Sequence, residues 1–313
     1  MKITNFKCKG CYHFGDKEKS FIADTDFNFI EGTPMQGKTS YLLALKGICE
    51  VLANDEVFFD HTQEHFLKHE REFSISFSLG ENKDFNYSVK IDVEGRISYE
   101  SLSKMITPKM RGIVFERKDS EFAFLENKVV ESIVKNFKKE SNHALKPLIG
   151  EILSKTKYRE IAEAFKNKVR FIKADNLSKS LLCDRNFYLH KELFSNTEYT
   201  SIIASDFRDI LHIFGRKIEN LKTKPNFLNT ISPFDFDYFT PSMINFIVLC
   251  AATLDSSKNG KVYIIDDLHL MLPFEYRAFL LMFCRGMHPK VIASLPYKYL
   301  EGIGIDNKRK SSL

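Results

Sequence analysis

Alternating apolar and polar positions predict several strands in the first third of the chain. Strand-like runs cover residues 1–9, 21–30, 73–79, 85–93 and 110–115, and residues 27–30, 73–79 and 85–93 within them alternate. A polar turn containing Gly80 separates the third run from the fourth, which predicts an antiparallel pair of strands. The last run is the most apolar and predicts a buried strand. Residues 41–48 have helical spacing instead, with Leu42, Leu45 and Ile48 on the inner face.

Helical spacing dominates the middle of the chain. The apolar positions that keep this spacing are Val130, Ile133, Val134 and Phe137, and then Leu148, Ile149, Ile152 and Leu153. Residues 118–230 are therefore predicted to be mostly helical. Residues 231–300 return to alternating strands and helices. The sequence shows no sustained heptad pattern and no internal repeat.

Composition adds little to this picture. The chain has 313 residues, of which 43% are hydrophobic and 28% charged, as is ordinary for a globular protein. Its net charge of +5 is compatible with a nucleic-acid partner, and a solvated helical surface explains it equally well. No signal peptide and no long uncharged apolar run is visible, so we expect a cytoplasmic protein without a membrane span. The six cysteines are accordingly expected to be reduced.

Residues 32–39 carry the clearest candidate chemistry. They read Gly-Thr-Pro-Met-Gln-Gly-Lys-Thr, a complete Gly-x-x-x-x-Gly-Lys-[Ser/Thr] phosphate-binding motif. A strand-like run precedes the motif and a helix follows it, which turns backbone N–H groups and a helix N-terminus towards phosphate oxygens. The motif predicts a nucleoside triphosphate site. Its predicted binding residues are Gly32, Gln36, Gly37, Lys38, Thr39 and Ser40, with the Thr39 hydroxyl also ligating Mg²⁺.

Residues 261–267 are the candidate second half of this site. They read Lys-Val-Tyr-Ile-Ile-Asp-Asp, a run of apolar strand formers that ends in two acids. Asp266 is the predicted second Mg²⁺ ligand, and Asp267 is predicted to act in catalysis with Lys38 by orienting or deprotonating the attacking water. An ordinary strand that ends in a polar turn would look the same. The long separation from Lys38 predicts a nucleotide domain, residues 1–117 and 231–313, that is split by a helical lobe, residues 118–230.

Together these segments resemble the ABC-class ATPases of the RecF, SMC and OLD type, which include AAA-type ATPases of DNA repair and phage defence. Residues 3–7, Ile-Thr-Asn-Phe-Lys, are similar to the first strand of that family. Residues 29–43 resemble its strand–loop–helix unit, and residues 266–273 resemble its acidic stretch and the loop after it. The resemblance covers about residues 1–50 and 235–300. It implies an α/β P-loop fold with a mixed sheet, antiparallel N-terminal strands and an inserted helical lobe, and ATP and Mg²⁺ as ligands.

The sequence departs from this family at three positions. The family's signature segment, which contacts the γ-phosphate held by a partner subunit, corresponds to residues 239–243, but Ser242 stands at the glycine position. A capped core helix explains this segment equally well. Asp267 replaces the catalytic Glu and is one methylene shorter, which weakens its reach to a water molecule. The family's switch His is absent near residues 294–296. These departures affect hydrolysis and leave the binding residues intact.

Three functions therefore stay open. The first is an ATPase that switches a DNA-associated or defence-type assembly, with hydrolysis that is slow or depends on a partner. The second is a non-hydrolysing, ATP-dependent scaffold or sensor that holds or regulates an effector such as a nuclease. The third is a P-loop kinase. The resemblance implies a homo- or hetero-oligomer that sandwiches the nucleotide, with DNA and an effector nuclease as partners, and the sequence identifies none of these partners.

Two further clusters have metal-binding spacing. His61, His65 and His69 recur every four residues, which fits either a metal site or a charged helix end. Cys8 and Cys11 have CxxC spacing without a second pair. On a strand their side chains would point to opposite faces, which argues against a zinc site.

Overall fold

The computed structural model describes residues 1–11, 17–23, 27–33, 36–54, 69–81, 83–107, 110–119, 121–140, 144–173, 241–271, 287–299 and 310–312. Within these ranges the chain is a mixed α/β protein with two sheets. It divides into two compact units. The first unit comprises residues 1–25, 30–170 and 310–313, and the second comprises residues 26–29 and 171–309.

The twelve described strands are β1 (Lys2–Lys9), β2 (Lys19–Ile22), β3 (Phe27–Gly32), β4 (Arg71–Ser78), β5 (Asp84–Ile91), β6 (Ile97–Thr107), β7 (Met110–Lys118), β8 (Glu121–Leu125), β9 (Val169–Lys173), β10 (Val262–Asp266), β11 (Lys290–Pro296) and β12 (Lys310–Ser312). The six described helices are α1 (Lys38–Leu52), α2 (Lys128–Phe137), α3 (Ile149–Lys155), α4 (Arg159–Lys168), α5 (Pro241–Asn259) and α6 (Leu268–Met271).

The first unit is built on a seven-stranded antiparallel sheet with the order β2-β1-β4-β5-β6-β7-β8. Its central strands show why strict alternation gives a sheet with one covered face. Phe73, Ile75 and Phe77 of β4 are buried, and their partners on β5 are the buried Val89, Tyr87 and Phe85. Such apolar cross-strand pairs stabilise a sheet. The predicted antiparallel pair is confirmed.

Four helices of the first unit cover apolar surface, and the predicted helical positions are confirmed. Leu42, Leu45 and Ile48 of α1 are fully buried, and α1 packs against α3, α4 and β1. Tyr41 anchors α1 to β1, because its ring lies edge-on to Phe6 at 5.1 Å and its hydroxyl donates to the Phe6 carbonyl at 2.8 Å. The predicted apolar positions of α2 and α3 are buried as well.

A buried polar network joins the sheet of the first unit to α3. Glu100 of β6 and Arg117 of β7 are register partners, and both are fully buried. Glu100 accepts hydrogen bonds from Tyr87 Oη and from the backbone N–H groups of Leu148 and Ile149, where α3 begins. Burial raises the pKa of Glu100 above its ordinary value, although these donors and Arg117 act in the opposite direction. The carboxyl group therefore fastens α3 to the sheet.

The second unit contains β10 and β11 of a five-stranded sheet, whose order is β12-β3-β11-β10-β9. These two strands are parallel, and every residue of β10 is buried. The continuous apolar run in β10 is typical of a parallel strand that is covered on both faces. Helix α5 packs against both strands.

Asp255 is a buried acid in the C-terminal part of α5. It accepts hydrogen bonds from Tyr263 Oη at 2.6 Å and Asn259 Nδ2 at 2.7 Å, and Lys261 Nζ lies 3.1 Å from its Oδ2. Burial acts to raise the pKa of Asp255, but these three donors outweigh it and hold the pKa below its ordinary value. Both oxygens of this buried carboxyl group are thus used within the fold.

Two strand predictions are wrong in part. The strand predicted at residues 27–30 is confirmed as part of β3, but residues 21–30 are not one continuous strand. Strand β2 ends at Ile22, β3 begins at Phe27, and the two lie in different sheets. Residues 110–115 lie in strand β7, as predicted, but most of this range is not buried. Only Val114 and Phe115 among them are buried, whereas Met110 is 51% exposed near the end of its hairpin. The predicted division into a nucleotide domain and a lobe stays a prediction, since residues 174–240 lie outside the described part of the chain.

Candidate nucleotide site

The predicted phosphate loop connects a buried strand to a helix. Strand β3 ends at Gly32, and α1 begins at Lys38. Gly37 precedes the helix in the left-handed region, with φ of 79°, which a residue with a Cβ adopts reluctantly. Among the described residues, no side chain caps α1, and none of those in its first turn is acidic. The N-terminal end of α1 thus lacks an internal anion, which favours a ligand anion there. Pro34 and Met35 lie outside the described residues.

Lys38 folds back over the loop. Its Nζ donates to the carbonyl oxygens of Gly32 at 2.8 Å and Thr33 at 3.0 Å. Gln36 closes the loop from the other side, because its Oε1 accepts from the Thr33 N–H at 2.7 Å. A Cβ on Gly32 would lie 2.7 Å from that Oε1 and 3.4 Å from Lys38 Cδ. A side chain at position 32 would therefore displace the Gln36 amide from this position.

Thr39 and Ser40 occupy the first turn of α1. Both are half-buried. Their hydroxyls lie at the helix N-terminus, which is where the motif predicts them. The roles of Thr39 as a Mg²⁺ ligand and of Ser40 as a nucleotide contact stay predictions.

Asp266 is the last residue of β10, and its side chain is fully buried. Its Oδ1 accepts two hydrogen bonds, from Ser294 Oγ at 2.7 Å and from the Asp267 N–H at 3.1 Å. Its Oδ2 is also buried, but it has no hydrogen-bond partner among the described residues. A buried oxygen without a partner is unfavourable, so it calls for a physical explanation. Carboxylate oxygens are the ligands that Mg²⁺ prefers, and a bound cation would satisfy Oδ2.

Asp267 turns the chain from β10 into α6. Its backbone adopts the left-handed region, with φ of 53°, which aspartate tolerates better than most side chains. Its N–H donates to Ser294 Oγ at 2.7 Å, and its carbonyl oxygen accepts from the Leu270 N–H at 2.9 Å. The residue is half-buried. Its predicted role as a base for the attacking water stays a prediction.

Ser294 is a site residue that sequence reasoning missed. The sequence marked its neighbourhood only as the place where a switch His is absent. In the structure it is fully buried near the end of β11 and contacts both acids. Ile265 and Ala293 are register partners in the parallel pair, so Asp266 and Ser294 are the next residues on each strand. The sequence signal that could have identified Ser294 was a single hydroxyl residue within an otherwise apolar run.

The remaining predictions on candidate site residues are not tested. Ser242 lies in the first turn of α5, and its side chain is outside the described residues. His61 and His65 also fall outside them, and no group of three potential metal ligands occurs in the described part of the chain. Thr39 belongs to the first unit and Asp266 to the second, so the Mg²⁺ that they are predicted to share stays a prediction.

Comparison with known proteins does not identify a family. No family model matches the chain, and no curated protein matches it either. Among solved structures, it is similar to an SMC head domain whose crystal structure contains the C-winged helix domain of ScpA. That match has a TM-score of 0.47 and 9% identity, and it covers 97% of this chain and 92% of the other. A likeness this weak shows neither the family nor the function of this chain. In the described ranges, no helix has the length and apolar character needed to cross a membrane.

Proposed function

We propose that this chain binds ATP with Mg²⁺ and works as a nucleotide-dependent switch. The observation that carries the proposal is the β3–loop–α1 unit, in which Gly37 takes the left-handed conformation and Lys38 lies over the Gly32 carbonyl. This arrangement concentrates backbone N–H groups and one ammonium group at an uncapped helix N-terminus. A triphosphate is the anion that the sequence motif predicts there.

The acids at the end of β10 support a Mg²⁺ ion in the same function. We propose Thr39 Oγ1 and Asp266 Oδ2 as its protein ligands. The fit rests on Asp266, since its Oδ2 is buried and accepts no hydrogen bond from the described residues. A bound Mg²⁺ would neutralise charge that develops on the phosphate oxygens.

Slow or partner-dependent hydrolysis is the expected behaviour. Asp267 is shorter than the Glu of the resembling family, and its N–H is held by Ser294, which restrains the backbone from moving the carboxylate forward. The switch His of that family is absent near residues 294–296, and the hydroxyl proton of Ser294 is donated to Asp266. The same contacts favour the alternative function, an ATP-dependent scaffold or sensor that does not hydrolyse.

The partners come only from the resemblance. We propose a homo- or hetero-oligomer that closes on ATP, with Ser242 and the start of α5 facing the nucleotide of the other subunit. DNA and an effector nuclease are the proposed partners of that assembly. A nucleotide-bound head-to-tail dimer would also count against the third hypothesis, a P-loop kinase.

Lys38→Ala tests nucleotide binding most simply. Loss of hydrogen bonds to a charged group is worth about 1.5–3 kcal/mol, which raises the Kd for a nonhydrolysable ATP analogue roughly ten- to hundredfold. Calorimetric titration in the presence of Mg²⁺ measures this change. Lys46→Ala is the matched control, because Lys46 lies on the same helix and pairs with Glu50 at the surface. Equal Kd values for the Lys38 and Lys46 variants would contradict the proposal.

Phosphate release separates the switch from the sensor. Turnover by the wild type that Lys38→Ala abolishes supports an ATPase. Tight binding of ATP without turnover, both alone and with DNA added, supports the sensor.

A further inference from the structure

Ser294 makes two short contacts that together determine how the Asp266 carboxyl group is held. Its Oγ lies 2.7 Å from Asp266 Oδ1 and 2.7 Å from the Asp267 nitrogen. The backbone N–H must donate, so Oγ is the acceptor of that bond. The single hydroxyl proton is then left for Asp266 Oδ1. All three groups are tied together at the ends of two adjacent parallel strands.

These contacts make the two oxygens of Asp266 unequal. Oδ1 receives both donors, whereas Oδ2 has no partner among the described residues. The terminal torsion of an aspartate is broad and roughly two-fold, so the carboxyl group turns easily unless contacts fix it. Of the hydrogen bonds that described residues donate to Asp266, Ser294→Ala would leave the 3.1 Å bond from the Asp267 N–H to favour one orientation.

We propose that Ser294 is a positioning residue that fixes Asp266 so that Oδ2 faces the divalent cation. This inference rests on the proposed function and adds to it the residue that orients the metal ligand. Groups that hydrogen-bond to a metal ligand fix its orientation, and their removal typically lowers metal affinity about 10- to 100-fold. Ser294 therefore acts on the metal through Asp266 and does not need to touch the nucleotide.

Ser256 offers a matched control in the same unit. It is also fully buried, its Oγ donates to the Lys261 carbonyl at 2.7 Å, and it accepts from the Lys290 N–H at 2.6 Å. Replacement of either serine by alanine removes one donated and one accepted hydrogen bond. Only the replacement at position 294 disturbs a side chain that is proposed to bind metal.

The experiment is a titration of the full chain with Mn²⁺ in the presence of a nonhydrolysable ATP analogue, followed by the electron paramagnetic resonance signal of free Mn²⁺. Ser294→Ala is expected to raise the Mn²⁺ Kd about tenfold or more. Ser294→Thr keeps the hydroxyl and is expected to restore the wild-type Kd. Ser256→Ala is expected to leave the Mn²⁺ Kd unchanged while lowering thermal stability to the same extent as Ser294→Ala.

The outcomes distinguish this inference from the proposed function. Wild-type Mn²⁺ affinity in Ser294→Ala, or an equal loss in Ser256→Ala, would overturn the positioning role. The proposed function fails separately if the wild type binds no Mn²⁺ with the nucleotide, or if Asp266→Asn binds it as tightly as the wild type. If Ser294→Thr is unfolded by circular dichroism, comparison of the two alanine variants alone decides the question.

Discussion

Glu100 and Asp266 both have fully buried carboxyl groups, but the hydrogen bonding of their oxygens differs. In the first unit, each oxygen of Glu100 has partners. Oε1 accepts from Tyr87 Oη and the Ile149 N–H, and Oε2 accepts from the Leu148 N–H and lies 3.7 Å from Arg117 Nη1. In the second unit, Asp266 concentrates its hydrogen bonds on Oδ1 and has none on Oδ2 within the described ranges.

The difference separates a structural acid from a candidate ligand-binding acid. A buried charge that is fully hydrogen-bonded ties elements together, and removal of one partner destabilises the fold. A buried oxygen that lacks a partner costs stability, and a ligand that binds it would remove that cost. Asp255 lies in the same unit as Asp266, but it resembles Glu100 because both of its oxygens accept hydrogen bonds.

The largest expected effect is that of Glu100→Ala. It takes away the negative charge near Arg117 and leaves the N–H groups of Leu148 and Ile149 without an acceptor, so the free energy of unfolding should fall by about 3–5 kcal/mol. Urea denaturation measures this. Glu116→Ala is the control on the neighbouring strand, where a half-buried carboxylate accepts from Tyr99 Oη at 3.0 Å. A loss no larger than that of the control would show that the Glu100 network does not stabilise the first unit.

Asp255→Asn should have an intermediate effect. The amide keeps one acceptor but presents N–H donors to Tyr263 Oη or Lys261, which should lower the free energy of unfolding by about 1–3 kcal/mol. Denaturation at neutral pH measures the change. Full stability in this variant would mean that hydrogen bonding on both oxygens does not distinguish Asp255 from Asp266.

Asp266→Asn should have the smallest effect, and in the opposite direction. The amide oxygen can still accept from Ser294 and Asp267, while the partnerless oxygen of the acid is replaced by a neutral group. Without ligand, we expect the free energy of unfolding of this variant to equal that of the wild type or to exceed it by up to about 1 kcal/mol. Replacements at functional sites often stabilise a protein in this way. A loss as large as that of Asp255→Asn would make Asp266 a structural acid.

Local sequence patterns predicted the elements well where one interaction dominates. The alternation in β4 and β5 and the spacing of Val130, Ile133, Val134 and Phe137 follow directly from burial of one face. The strand that ends at Asp266 was predicted from its continuous apolar run, which the structure buries. Residues 21–30 were misread because a break between two sheets depends on tertiary pairing, which leaves no mark on the alternation.

The partners of the candidate site could not be predicted from spacing. The contact between Ser294 and Asp266 joins residues 28 positions apart through strand register. The sequence shows that Asp266 ends one apolar run and that Ser294 lies within another, but it does not show that the two runs are neighbouring strands. The network of Glu100 and Arg117 was missed entirely, because charged residues on alternating strands are read as solvated.

Asp266 Oδ2, which accepts no hydrogen bond from the described residues, is proposed to bind Mg²⁺ together with ATP. The most direct test of this claim is the melting temperature of the wild type and Asp266→Asn, each without ligand and with Mg²⁺ and a nonhydrolysable ATP analogue. A ligand that binds the native state raises the melting temperature with its concentration. We predict that the wild type rises in this way, and that Asp266→Asn starts at or above it and gains far less when Mg²⁺ is added. An equal rise in both proteins, or no rise in the wild type, would contradict the claim.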